Sequence, residues 1–168
     1  ILVTITSCSK DNIDKDAMTT INFLLIADDL SDAVQFKYHD LDGPDGPLQG
    51  FVTDAVLSPN LGYTGTVSIL NERTNPTTKV NDEIMENPND FQVFFTLSNP
   101  NVKVDVMDED DNGMPIGLST RVTTGSREGD YTMKIQVVKN PNKSNAGTAQ
   151  EAGGEIAIEG DFTVYIRE

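Results

Sequence analysis

Apolar side chains recur at every second position along most of this chain. That is the period of a β-strand with one buried face. In residues 19–27, Ile21, Phe23 and Leu25 share a face. In 34–39, Val34, Phe36 and Tyr38 lie opposite Gln35, Lys37 and His39. The same reading predicts strands over 51–57, 63–71, 91–97, 102–107, 119–124, 131–139 and 155–167. The segment 51–57 is the weakest of these. The last keeps Ile156, Ile158, Phe162, Val164 and Ile166 in one phase, with Gly160 in the row as a bend or bulge.

Turn chemistry separates these runs. Asp42-Gly43-Pro44-Asp45-Gly46-Pro47, Pro59-Asn60-Leu61-Gly62, Asn99-Pro100-Asn101, Asn112-Gly113 and Glu128-Gly129-Asp130 all fall between apolar stretches. Short strands with one polar face and such turns predict an all-β fold. The expected form is an antiparallel immunoglobulin-like β-sandwich of about eight to nine strands. One short surface helix is expected near 77–86, where Val80 and Ile84 are four apart after Pro76. Residues 140–154 (NPNKSNAGTAQEAGG) read as a long small-polar loop of the kind that carries function or moves.

Composition narrows the function. The formal net charge is −15, from 27 acidic and 12 basic residues. Nucleic acid is therefore not an expected partner, because a phosphate backbone must be met by Lys and Arg. Direct docking on anionic lipid is disfavoured for the same reason. A single cysteine leaves no internal disulfide framework and no cysteine-based zinc cluster. No later segment approaches the roughly 18 apolar residues that would span a bilayer, so any membrane attachment is expected at the N-terminus.

The N-terminus supplies one. Ile1-Leu2-Val3-Thr4-Ile5-Thr6-Ser7-Cys8 is an apolar run ending in two small residues and a cysteine, followed at once by polar chain. Ile5-Thr6-Ser7-Cys8 resembles the lipobox of bacterial lipoproteins. The resemblance implies cleavage before Cys8, a thioether lipid on its sulfur and acylation of its new amino group, which together make a lasting anchor. Residues 1–7 are then a signal-peptide remnant, 8–18 the lipidated Cys and a flexible tether, and 19–168 a single β-sandwich domain. The alternative is a plain strand over 1–6 ending in a structural thiol.

The chain as a whole resembles a group of small Bacteroidota outer-membrane lipoproteins, some labelled "type 1 periplasmic binding fold superfamily protein". The resemblance rests on Tyr38-His39-Asp40-Leu41-Asp42-Gly43-Pro44, on residues 63–72 (YTGTVSILNE), on Phe91-Gln92-Val93-Phe94-Phe95, on residues 108–118 (DEDDNGMPIGL), and on Pro141-Asn142-Lys143-Ser144 with Gly153-Gly154-Glu155. It implies a lipid-anchored accessory protein, on the cell surface rather than the periplasmic face, working alongside an outer-membrane transporter of the TonB-dependent type. Lys10 and Asp11 just after the cysteine resemble the surface-export signal of such proteins. Members often carry histidines where this chain has Phe91 and Lys139, so a histidine-metal role does not carry over. The label itself implies a parallel sheet with crossover helices, which the alternation here does not support.

Three places could carry chemistry. Asp108-Glu109-Asp110-Asp111-Asn112-Gly113 matches the first half of a calcium loop, with oxygen donors Asp108, Asp110 and Asn112 at alternate positions before a glycine. The twelfth position is Ser119 instead of a bidentate Glu, so an EF-hand is not expected, and a solvated turn competes with the Ca2+ reading. Asp40, Asp42 and Asp45 form a second acidic loop beside the only histidine, His39. Asn142, Lys143 and Ser144 in the long loop are candidate binding residues.

No nucleophile–base pair or phosphate loop is present, so no catalytic residue and no required cofactor are expected. The expected function is a non-enzymatic binding or accessory module. The alternatives are a calcium-stabilised ligand-binding or adhesive β-domain, and a carboxylate-based hydrolase, which would need acids converging in a cleft.

Overall fold

A computed structural model of the chain describes residues 17–43, 46–47, 50–145 and 147–168. Residues 1–16, which include Cys8 and most of the expected tether, and Asp45 lie outside the described residues; Met18, the last residue of the expected tether, is instead buried in the core. The fold is an all-β sandwich of two sheets, built from eleven strands among the described residues. They are β1 (Thr20–Ala27), β2 (Ala33–His39), β3 (Phe51–Thr53), β4 (Ala55–Leu57), β5 (Gly62–Asn71), β6 (Thr78–Lys79), β7 (Phe91–Leu97), β8 (Val102–Val106), β9 (Ser119–Thr124), β10 (Gly129–Lys139) and β11 (Glu155–Ile166). The larger sheet runs β3-β2-β1-β5-β9-β8, with β6 added to the end of β5. The smaller runs β4-β11-β10-β7.

Alternation places the core as the sequence predicts. Ile21, Phe23, Leu25, Phe36, Val67 and Ile69 from the larger sheet meet Val93, Met133, Ile135, Val137, Phe162 and Val164 from the smaller one, all buried. Phe23 packs on Phe36 and Phe95 with ring centroids 6.2 and 5.4 Å apart, and Phe36 meets Phe162 edge-on at 5.7 Å. The two sheets come close at Gly160. A Cβ there would lie 2.9 Å from the Cβ of Tyr38, so this glycine makes room for the facing sheet.

Three expectations need correction. The single strand over 51–57 is two strands in different sheets. β3 pairs with β2, the chain turns at Asp54, and β4 then pairs in parallel with Val164–Ile166 of β11. Alternation cannot reveal the switch, because apolar residues on either side of the turn serve different sheets. Second, the irregularity in β11 lies opposite Val137/Val138, near Ala157, instead of at Gly160. The bulge shifts the phase of the preceding residues and leaves Ile156 exposed.

Third, residues 140–154 are not a structureless loop. They contain a 3-10 turn at Lys143–Asn145 and a short helix at Ala149–Ala152. Its Ala149 and Ala152 pack on Phe94 and Val138, on the outer face of the smaller sheet. The sequence carries the signal: Thr148 and Glu151 have capping-box spacing, and the Thr148 side chain accepts from the Glu151 N–H at 3.2 Å.

The predicted helix is present as α1 (Val80–Glu86), with Val80 and Ile84 buried. It also plugs a gap. Between β9 and β6, the middle of β5 has no strand beside it among the described residues. Asn81 fills that place, donating to the Val67 carbonyl at 2.9 Å and accepting from the Ile69 N–H at 2.7 Å. An unpaired buried backbone group is costly, so a side chain standing in for a strand is a stabilising device.

Candidate functional site

The strand register gathers the candidate loops at one end. Thr20 at the start of β1 pairs with His39 at the end of β2 and with Leu70 near the end of β5. Lys139 at the end of β10 pairs with Phe91 at the start of β7 and Glu155 at the start of β11. The 40–50, 71–79, 107–118 and 140–154 connections therefore share the end at which the described chain enters the fold, Ala17 to Thr19.

Two adjoining cavities open there. The larger, about 440 Å3, is lined by Ala17, Met18 and Thr19, by Asp40, Asp42 and Arg73 from the larger sheet's loops, and by Lys139 and Glu155 from the smaller sheet. The second, about 300 Å3, shares Met18, Asp40, Gly43 and Ala157 with it and adds Tyr38, Ile156, Ile158 and Glu159. Together they make a groove between the sheets, polar at one end and mostly apolar at the other.

Asp40 is the buried member of the second acidic loop. Its carboxylate accepts from the Gly43 N–H at 2.9 Å and the Tyr38 O–H at 3.1 Å. Burial, then that bond to Asp40, push the Tyr38 hydroxyl up to about 12, so it stays a donor at neutral pH. Arg73 donates through Nε to the Leu41 carbonyl and so holds the loop from the other side. His39 is not in the groove. It lies on the outer face of the larger sheet, as its strand parity predicts, with Nε2 2.6 Å from Glu72, which also accepts from Thr20 Oγ1 at 2.7 Å.

The 108–113 loop reaches the same end but joins a different partner. Asp108 accepts from the backbone N–H groups of Gly117, Leu118 and Ser119 at 2.8–3.1 Å. Asp110 accepts from Asn112 and Met114 N–H at 2.9 and 3.0 Å, and from Lys143 Nζ at 2.8 Å. Asn112 donates to Asn89 at 2.7 Å. Lys143 also donates to the Pro88 carbonyl at 2.8 Å, and its side chain is 6% exposed against 1% for Asp110. Burial works to raise the Asp110 carboxyl, but Lys143 and the two N–H groups hold it below its ordinary value.

These contacts bear on the fit of a calcium ion. Ca2+ takes about six to eight oxygens. The Asp108 and Asp110 oxygens already face five N–H donors and an ammonium, contacts that a Ca2+ ion would have to displace. Among the described residues no three His, Cys, Asp or Glu side chains are grouped to hold a metal. Adding Ca2+ or a chelator is expected to leave the melting temperature unchanged; a rise of several degrees with Ca2+ would reinstate the calcium reading.

Lys143, expected to face a ligand, is turned inward. Asn142 and Ser144 beside it are exposed. Sequence reasoning singled out Asp40 and Asp42 but missed the walls of the groove: Tyr38, Ile156 and Ala157 read as ordinary strand residues, and Met18 as the end of the tether. The exposed Ile156 is the one signal of a non-core role, and it depends on a bulge. Comparison of the chain with protein-family models, with curated proteins and with solved structures finds no match.

Proposed function

We propose that the chain is a lipid-anchored, non-enzymatic outer-membrane lipoprotein on the cell surface. It acts as a binding or accessory module alongside an outer-membrane transporter, with its groove as the contact surface. The observation that carries this reading is the position of the groove. Ala17, Met18 and Thr19, the first described residues, form part of its wall. A lipid on Cys8 lies nine residues before Ala17, a reach of roughly 30 Å when extended. The groove end is then held close to the membrane, where a partner embedded in it would be met.

Binding is favoured over catalysis by how the acids are used. The Asp40 oxygens are held by Gly43 and Tyr38, those of Asp108 by three N–H groups, and those of Asp110 by Lys143. Each carboxylate ties a loop in place, and an acid so engaged is poorly placed to exchange protons with a substrate.

Cys8→Ala is expected to abolish labelling by a fatty-acid precursor in the native host and to move the protein from the membrane to the soluble fraction. Unchanged labelling would remove the anchor from this reading. Partner recovery from detergent-solubilised outer membranes tests the binding role; recovery of the bare protein alone counts against it.

A further inference from the structure

Among the described residues, β11 is the longest strand of the fold, and most of one of its edges has no strand beside it. β10 covers the other edge along the whole length, while β4 pairs only with Val164–Ile166. The switch at Asp54 causes this, since β3 belongs to the larger sheet. On the β4 side, Thr163 N–H is taken by Asp54 Oδ1 at 2.6 Å and Arg167 N–H by the Leu57 carbonyl at 3.1 Å. Strand alternation therefore points the N–H and C=O of Asp161 and Glu159 to that same side. Among the described residues, no group takes them. The corresponding gap on β5 is filled by Asn81.

The smaller cavity runs beside this open edge. Ile156, Ala157, Ile158 and Glu159 form one wall, and Met18 and Tyr38 stand across from them. A strand added here would alternate its side chains. One set would enter the apolar cavity. The other would emerge on the outer face of the smaller sheet, beside Glu159 and Asp161. Those two carboxylates share one cation, Lys134, at 3.3 and 3.0 Å, and Glu155 adds a third negative charge along the edge.

We propose that the open edge of β11 and the cavity beside it form a strand-addition site for an extended cationic peptide segment, with apolar residues alternating with Lys or Arg. The backbone supplies hydrogen bonds, the cavity selects the apolar positions, and the acidic edge selects the basic ones. The same charge disfavours a second copy of this chain, which would set one acidic edge against another. The proposal rests on the groove end being a binding surface, but not on lipidation of Cys8.

The test uses the full chain and a soluble probe peptide of alternating lysine and valine. The probe is expected to bind and to slow hydrogen exchange at the Glu159 and Asp161 amides. A version N-methylated at alternate residues, and one of alternating glutamate and valine, are each expected to bind at least about tenfold more weakly. Ala157→Trp, which fills the cavity, is expected to weaken the first probe similarly while the circular dichroism spectrum is kept. The N-methylated and glutamate probes need no variant, so they test the idea even if Ala157→Trp misfolds.

Equal binding of all three probes, unchanged exchange at those two amides, or self-association of the free chain through this edge would each overturn the proposal. If Ala157→Trp still recovers a membrane partner that the wild type recovers, strand addition fails and the binding module stands. Recovery of none by the wild type sinks the broader reading.

Discussion

Phe23→Ala is expected to lower the free energy of unfolding by about 4 kcal/mol, within the range for removing a large aromatic side chain from a packed core. The side chain is fully buried. It stands at the centre of an aromatic cluster, stacked on Phe36 from its own sheet and tilted against Phe95 from the other. A diagonal neighbour on β5, Gly65 opposite Leu25, shows how closely the ring is fitted: a Cβ there would lie 2.7 Å from Phe23 Cε2, so that strand carries no side chain at this place. The neighbours that would have to collapse into the space are themselves held in two ladders, so relaxation is limited. Urea unfolding followed by circular dichroism measures the loss, with an unchanged slope expected if only stability is affected. A loss below about 1.5 kcal/mol would mean that the ring is not packed between the sheets. Such a cost is a large part of the total for a domain of this size, which is about 5–15 kcal/mol.

The elements of this core were legible because period-two alternation reports burial directly. Wherever one sheet face is wet, as in β1, β2 and β10, sequence and structure agree to within two residues. The failures have a common physical source. Periodicity carries no information about which sheet a strand joins, so β3 and β4 read as one strand. It also cannot see the bulge near Ala157, which only the register with β10 reveals, and so it puts Ile156 in the core although the side chain is exposed. In 140–154, small and polar composition concealed a helix whose apolar face consists only of Ala149 and Ala152.

The candidate site was legible in part, for related reasons. Asp40 and Asp42 were identifiable as an acidic turn, and the structure puts both on the groove. Whether this turn and the 108–113 loop lie at the same end of the fold depends on non-local register. They do share an end, but through different partners: the first meets Arg73 and Tyr38, the second meets Lys143. The groove itself was not legible, because it arises where two sheets diverge beside a strand edge that β4 fails to cover. No local pattern encodes that geometry. The oxygen donors at 108, 110 and 112 show how much spacing alone leaves open. Their spacing is that of a metal loop, yet Asp108 meets backbone N–H groups, Asn112 meets Asn89, and the one cation among these contacts is Lys143, on Asp110.

Lys143→Met is expected to cost about 3 kcal/mol at neutral pH, the lower end for breaking a buried ion pair, because this pair sits beneath a surface loop. The ammonium bonds both to Asp110 and to the Pro88 carbonyl, joining three connections at the groove end. Methionine keeps the apolar stem but leaves a carboxylate buried without its cation. The pH dependence separates this from simple loss of packing. In the wild type the Asp110 carboxyl is held below its ordinary value, so its contribution is complete above about pH 4, the unfolded value, and is lost as pH falls through the lower folded one. In Lys143→Met the sign reverses. Burial without the ammonium favours the protonated acid, so acidification toward pH 4 relieves the variant over a range in which the wild-type pair is still intact. The stability gap should therefore narrow steadily from pH 7 toward pH 4. Asp110→Asn combined with Lys143→Met should cost less than Lys143→Met alone, since no buried charge remains. Urea unfolding across this pH range reads both effects, and a gap that stays constant with pH would show that the pair does not act through its charges.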